Sequence, residues 1–422
     1  MNKYKDIVSR INYGLFLVLA ALLPFPQVYL RYALVVWFIF WLLEGRWLQK
    51  PDVRLSLDHL QVVPFLLFGL WFVWKVVSVC WAADYDAWGW QMERYMSFGL
   101  IVPVGLWGVN ERYNLRQAGK VLAISCVLAI PLYVVWMAVL FHHPELVSYL
   151  HLHEPWTQHE DWWVFLSDNI SHFKHRLFLC SAEMLGAIAA ILVWKEKKWL
   201  WMIMVPIMLS SIFMTGSRQA ILTIAAMLVV GIICAIPSKY RLRYGIGILM
   251  LGVLFGGGLL RLHPRMQQFD MHAITEMRDV SYEHDVRFNI YGCALQQPGD
   301  YLAYGLGAGQ STAYLMEKYK ENGFDYYIFK RYHAHNQYLE ELMEIGIPGL
   351  LLFLLAWLSV PVCARKENRV LALLFCTMYG MNMLTDCMFG KFDGIVMWAF
   401  GMVSILLLRV PTAPQSSPSR AA

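Results

Sequence analysis

Charge is what this sequence has little of. Only 15% of its 422 residues are Asp, Glu, Lys or Arg, against roughly 25% in a soluble globular domain, while 58% are hydrophobic and the mean hydropathy is +0.46. That balance excludes an ordinary cytosolic enzyme and a nucleic-acid-binding protein. The eight cysteines form no CxxC pair and lie mostly within apolar runs, so neither a zinc site nor a disulfide framework is expected. No internal repeat and no Walker A lysine pattern is present. No small-residue cleavage site follows the basic segment Met1 to Arg10, so the first apolar run reads as a retained span rather than a cleaved signal peptide.

What the sequence has instead is apolar windows, recurring near residues 12–29, 32–43, 60–80, 95–109, 119–141, 177–194, 199–214, 219–236, 244–260, 345–362, 370–386 and 393–408. They predict an all-α polytopic membrane protein of about twelve transmembrane helices. With the N-terminus inside, Lys3, Lys5 and Arg10, Arg112, Arg116 and Lys120, Lys195, Lys197 and Lys198, and Arg365, Lys366 and Arg369 all fall in short inner loops. This is the positive-inside pattern, giving N-in and C-in. The expected organisation is helices 1–9 over 1–260 with an outer loop at 142–176, a mostly helical outer domain over 261–344, helices 10–12 over 345–410, and a disordered tail over 411–422. Both long loops lie on the outer face, where function is expected.

Arg218 breaks the charge pattern. It follows Thr215-Gly216-Ser217 in the short turn between two spans, at the outer boundary, where sidedness disfavours an arginine. It reads as an anion site on a helix N-terminus, as a side chain snorkelling to headgroups, or as the partner of an outer carboxylate. In the outer domain, Val286, Ile290 and Cys293 share a helical stripe beside Arg287, itself either a solvated arginine or a second cation for the same anion. Gly305-Leu306-Gly307-Ala308-Gly309 permits positive φ and exposed N–H groups, so Gly307 and Gly309 are either a weak phosphate cradle or a plain turn. His333-Ala334-His335-Asn336-Gln337 stands at the start of a helix leading into the tenth span. A neutral imidazole there can take a proton from a hydroxyl near pH 7; a pair of surface histidines is the plainer alternative. No further ligands stand at zinc spacing, so no metal is expected. His142, His143, His151, His153, His159, His172 and His175, interleaved with Trp156, Trp162 and Trp163, read as an interfacial segment rather than a metal site. Lys75, Glu183 and Asp386, in or beside spans, are functional candidates without nameable partners.

Taken together, the Thr-Gly-Ser-Arg turn, Asp285-Val286-Arg287-Phe288, the alternating glycines, His333 to Leu339 and Glu344-Ile345-Gly346-Ile347-Pro348-Gly349-Leu350 resemble the O-antigen ligase family. That family shares its core with O-antigen polymerases and bacterial protein O-oligosaccharyltransferases. The resemblance implies a multi-pass enzyme of the bacterial inner membrane that joins a glycan from undecaprenyl diphosphate to the lipid A-core saccharide on the periplasmic face. It needs no cofactor, and its partners are the lipid-linked donor, the lipid A-core acceptor and membrane lipids. The family's turn arginine falls on Arg218, its loop arginine on Arg287 and its histidine before Asn on His335, with His333, Asn336, Gly307 and Gly309 in support. Tyr291 stands where the family frequently has tryptophan. A polymerase is the nearest alternative, then a protein O-oligosaccharyltransferase; a lipid-linked glycan transporter is the alternative of another class.

Overall fold

The computed structural model describes residues 3–48, 57–146, 162–262 and 286–408, and all regular structure among them is helical. Helix α1 (Lys3–Leu22) starts well before the first apolar window and stops at the Pro24-Phe25-Pro26 turn. Residues preceding a proline are driven out of the helical region, so the expected span over 12–29 is divided, and α2 (Gln27–Leu43) begins after Pro26. There follow α3 (Val63–Val77), α4 (Tyr85–Trp107), α5 (Leu115–His142), α6 (Trp162–Asn169), α7 (Arg176–Val193), α8 (Lys198–Met214), α9 (Arg218–Ala235) and α10 (Ser238–Leu262). After residues 263–285 come α11 (Val286–Ala294), α12 (Ser311–Glu321), α13 (Asp325–Lys330), α14 (Gln337–Cys363), α15 (Arg369–Met383) and α16 (Phe392–Met402).

Five segments are long and apolar enough to cross a membrane: Leu60–Cys80, Leu115–His142, Arg176–Val193, Arg218–Ala235 and Gln337–Cys363. Gln27–Leu43, Lys198–Met214, Arg243–Leu254 and Phe392–Leu407 are shorter apolar helices. The protein is a helical multi-pass membrane protein. Each apolar window holds a helix, but among the described residues only these five are both long and apolar enough for a full crossing, fewer than the twelve expected.

Helix pairs set the frame: α14 packs on α3, α5 on α7, α9 on α10 and α15, and α16 on α4 and α2. Trp37, Trp41, Trp71 and Trp398 are fully buried in the main core. A second core, containing Ile290, Tyr301, Leu315, Tyr319, Tyr327 and Met343, joins α11, α12 and α13 to the first turns of α14. The segment 162–172 packs Trp162, Phe165 and Ile170 onto α5, the Trp162 ring lying 5.5 Å from Phe141. That indole is half-buried against α5. His151, His153, Trp156 and His159, and the tail 411–422, lie outside the described residues.

Helix α14 is broken once. Gly346 has φ 67° and ψ −173° inside it, a conformation only glycine adopts without strain. The break is closed by the Ile347 N–H donating to Leu302 O (2.9 Å) and the Gly307 N–H donating to Glu344 O (2.9 Å). The first section of α14 is therefore docked against the glycine loop, and its N-terminus carries the His-Asn pair.

Candidate active site

Asn336 starts α14. Its Oδ1 accepts the Leu339 N–H at 3.0 Å, as an N-cap does, and its Nδ2 donates to Leu384 O at 3.3 Å. The residue before it, His335, is held at φ 47°, a left-handed conformation costly for a side-chain-bearing residue and concentrated at functional sites. The Tyr291 hydroxyl lies 3.3 Å from His335 O and 3.1 Å from Leu384 O, within hydrogen-bond reach of both. A phenol at this position bridges the His335 loop to the segment after α15.

That segment carries Asp386, and three imidazoles face it. Asp386 Oδ1 is 3.9 Å from His333 Nε2 and 3.9 Å from His335 Nδ1, while Oδ2 is 3.8 Å from His175 Nε2. The rings of His333 and His335 stack at 4.0 Å, and the His335 N–H donates to His333 Nδ1 at 3.1 Å. These separations exceed a direct hydrogen bond to the carboxylate, so the contact is Coulombic. Burial lowers the His335 pKa to about 3, with His333, Arg287 and Lys391 adding to the fall and Asp386 opposing it. Burial likewise takes His175 down to about 3, with help from Lys391, and lowers His333. All three rings are neutral at pH 7. Burial pushes the Asp386 carboxyl up, but its pKa is lowered overall, by His175 and His333 once they are protonated and by the permanent cation of Lys391.

A cavity of about 350 Å³ opens beside this cluster, lined by His175, Arg176, Arg218, Arg287, His335 and Asp386 among others. Arg176 is the first residue of α7 and Arg218 the first of α9, so two helix N-termini with their positive dipole ends face the same space. Ser217 caps α9, its Oγ accepting the Ala220 N–H at 3.3 Å. The Arg287 Nε donates to Thr385 O at 3.1 Å, which ties α11 to the Asp386 segment. Three guanidinium groups line the cavity against one carboxylate, so it is built for an anion. His333, His335 and Asp386 also offer ligand atoms within 4.8 Å of one another, a spacing that could hold a metal ion.

Residues 203–354 match the family model described as O-antigen ligase. Over that segment the chain is similar to the O-antigen ligase family. No curated protein matches the chain.

The matched segment contains Arg218, Arg287, His333, His335 and Asn336, but the cavity draws Arg176, His175 and Asp386 from outside it. Sequence reasoning passed over Arg176, although the argument that singled out Arg218, an arginine at the wrong end of a span, applies to it equally. His175 was grouped with interfacial histidines and belongs to the cavity instead. Asp386 was noted as ionisable, and its partners are the histidines.

Gly307 and Gly309 are placed elsewhere. The Gly307 N–H is bonded to Glu344 O, the Ala308 N–H to Ser78 Oγ (3.0 Å) and the Gly309 N–H to Glu344 Oε1 (2.9 Å). A Cβ on Gly307 would meet Ala82 Cα at 2.8 Å, and one on Gly309 would meet Ala87 O at 2.5 Å. Of the two readings the turn holds and the phosphate cradle does not form, because these N–H groups and the space above them are used to dock the loop on α14 and on the α3–α4 turn. Beneath it, Lys75 Nζ pairs with Glu344 (2.8 Å) and Glu341 (3.2 Å), all three side chains buried. Glu183, the other ionisable residue noted within a span, accepts from Ser211 Oγ at 2.5 Å.

Proposed function

We propose that this protein is a membrane glycosyltransferase of the O-antigen ligase type. It moves a glycan from undecaprenyl diphosphate to the lipid A-core oligosaccharide on the periplasmic face of the inner membrane, without a metal and with inversion at C1. The observation that carries the reading is the convergence of Arg218, Arg287 and Arg176 on the cavity that also holds His335 and Asp386.

The donor's diphosphate sits among the arginines. As the C1–O bond breaks, its electron pair passes to the phosphate oxygen, and the guanidinium groups stabilise the charge that develops there. The acceptor hydroxyl attacks C1 from the opposite face and gives its proton to His335. With Nδ1 turned toward Asp386, the Nε2 of His335 is the basic atom; Asp386 steadies the imidazolium once it forms, and His333 holds the ring by stacking. An imidazole with so low a pKa is a weak base, but arrival of a dianionic diphosphate neutralises the cations that depress it and raises its basicity when the substrate is present.

Complementation of a ligase-null strain with the wild type, His335→Ala and Arg287→Ala, read on the lipopolysaccharide ladder, tests this. Wild-type rescue with loss in both variants supports ligation, and loss of a base is worth about 10²–10⁴-fold in rate. Rescue by His335→Ala removes the proposed base. Conversion of a single-repeat lipid A-core to a ladder in a polymerase-null strain means polymerisation instead.

A further inference from the structure

A second cavity, of about 430 Å³, lies among α5, α7, α15 and α16. Helix α7 connects the two sites: Arg176 at its start lines the first cavity, and Val193 at its end lines the second, followed by Lys195. Helix α15 runs the other way, from Leu371 in the second cavity to the Asp386 segment at its end. The 18 residues of α7 span about 27 Å at 1.5 Å per residue, close to the thickness of a hydrocarbon core. The second cavity is therefore at the opposite membrane boundary from His335, at helix ends that carry basic residues.

Its walls are mainly apolar, with Leu122, Leu185, Ala189 and Phe375 among them, and Arg116 and Lys195 stand at its polar margin with Glu196. One observation sets it apart from a chance gap between helices. Helix α16 continues into a π-helical turn, Val403–Leu407, at this wall, and such turns are rare and frequent at functional sites.

We propose that this cavity binds an anionic phospholipid. One acyl chain fills the apolar interior, and the phosphate meets Arg116 and Lys195. Basic margins between transmembrane helices recognise anionic headgroups in this way, whereas a zwitterionic lipid places its own cation beside the same two side chains.

The test uses the purified full-length protein in detergent, with phosphatidylglycerol and phosphatidylcholine of identical chains as probes, read by native mass spectrometry and by thermal shift. Wild type is expected to retain one phosphatidylglycerol and to gain thermal stability from it, with at least tenfold preference over phosphatidylcholine. Arg116→Glu with Lys195→Glu abolishes that preference. Ala189→Trp, which fills the cavity, removes the retained lipid. Equal retention of the two lipids by wild type overturns the proposal, as does unchanged phosphatidylglycerol binding in Ala189→Trp.

Discussion

Replacing Gly346 by alanine probes whether the break in α14 positions His335. Gly346 adopts φ 67° and ψ −173°, which costs a residue with a Cβ about 1–3 kcal/mol. The added methyl would also lie 2.8 Å from each of Ala303 O, Gly305 N and the Tyr304 carbonyl carbon. All three are backbone atoms, so no side chain can rotate out of the way, and forced overpacking adds about 1–3 kcal/mol. The sum is roughly 2–6 kcal/mol, a large share of what keeps most folds intact. Gly14→Ala is the matched control, since a Cβ there has nothing within 4 Å and the residue is helical; it should gain up to about 1 kcal/mol. The assay is the thermal midpoint of the full-length protein in detergent by fluorescence-detected gel filtration, at one heating rate because unfolding of such proteins is commonly irreversible. Gly346→Ala should melt well below wild type and lose complementation, with Gly14→Ala at or above wild type on both counts. A Gly346→Ala midpoint equal to that of Gly14→Ala would refute the reasoning.

Three further outcomes are expected. Because the His335 pKa is lowered to about 3, the ring stays neutral and able to accept a proton as pH falls through 6.5, so kcat/KM should hold from pH 8 down to 5. The acid limb of kcat should lie higher than that of kcat/KM, since the bound diphosphate favours imidazolium; a kcat/KM midpoint near 6.5 contradicts the burial argument. Lys75→Met leaves Glu341 and Glu344 facing each other without their cation and should cost about 3–5 kcal/mol, visible as a lower melting midpoint. Adding Glu344→Gln to Lys75→Met should recover part of that loss, and no recovery would mean that the pair is not coupled. Prolonged chelation should leave transferase activity unchanged; loss restored by a divalent cation would turn His333, His335 and Asp386 from base and positioning groups into ligands.

Local physics was readable in the chain by itself. Apolar windows located the helices, because burying or solvating a backbone segment in hydrocarbon is decided within that segment. The misplaced Arg218 and the His335-Asn336 helix start were equally legible, since sidedness and capping act over a few residues. The alternating glycines announced positive φ, and Gly305, Gly307 and Gly309 have it. Their use was another matter. Only the tertiary structure decided that these glycines admit the α3–α4 turn and Glu344 rather than a phosphate, since that depends on residues more than 200 positions away. It likewise decided that Arg176, His175 and Asp386 join Arg218, Arg287 and His335 around one cavity. Those six side chains come from five separate stretches of sequence, and Coulombic coupling depends on distance in space, which hydropathy and spacing along the chain do not encode.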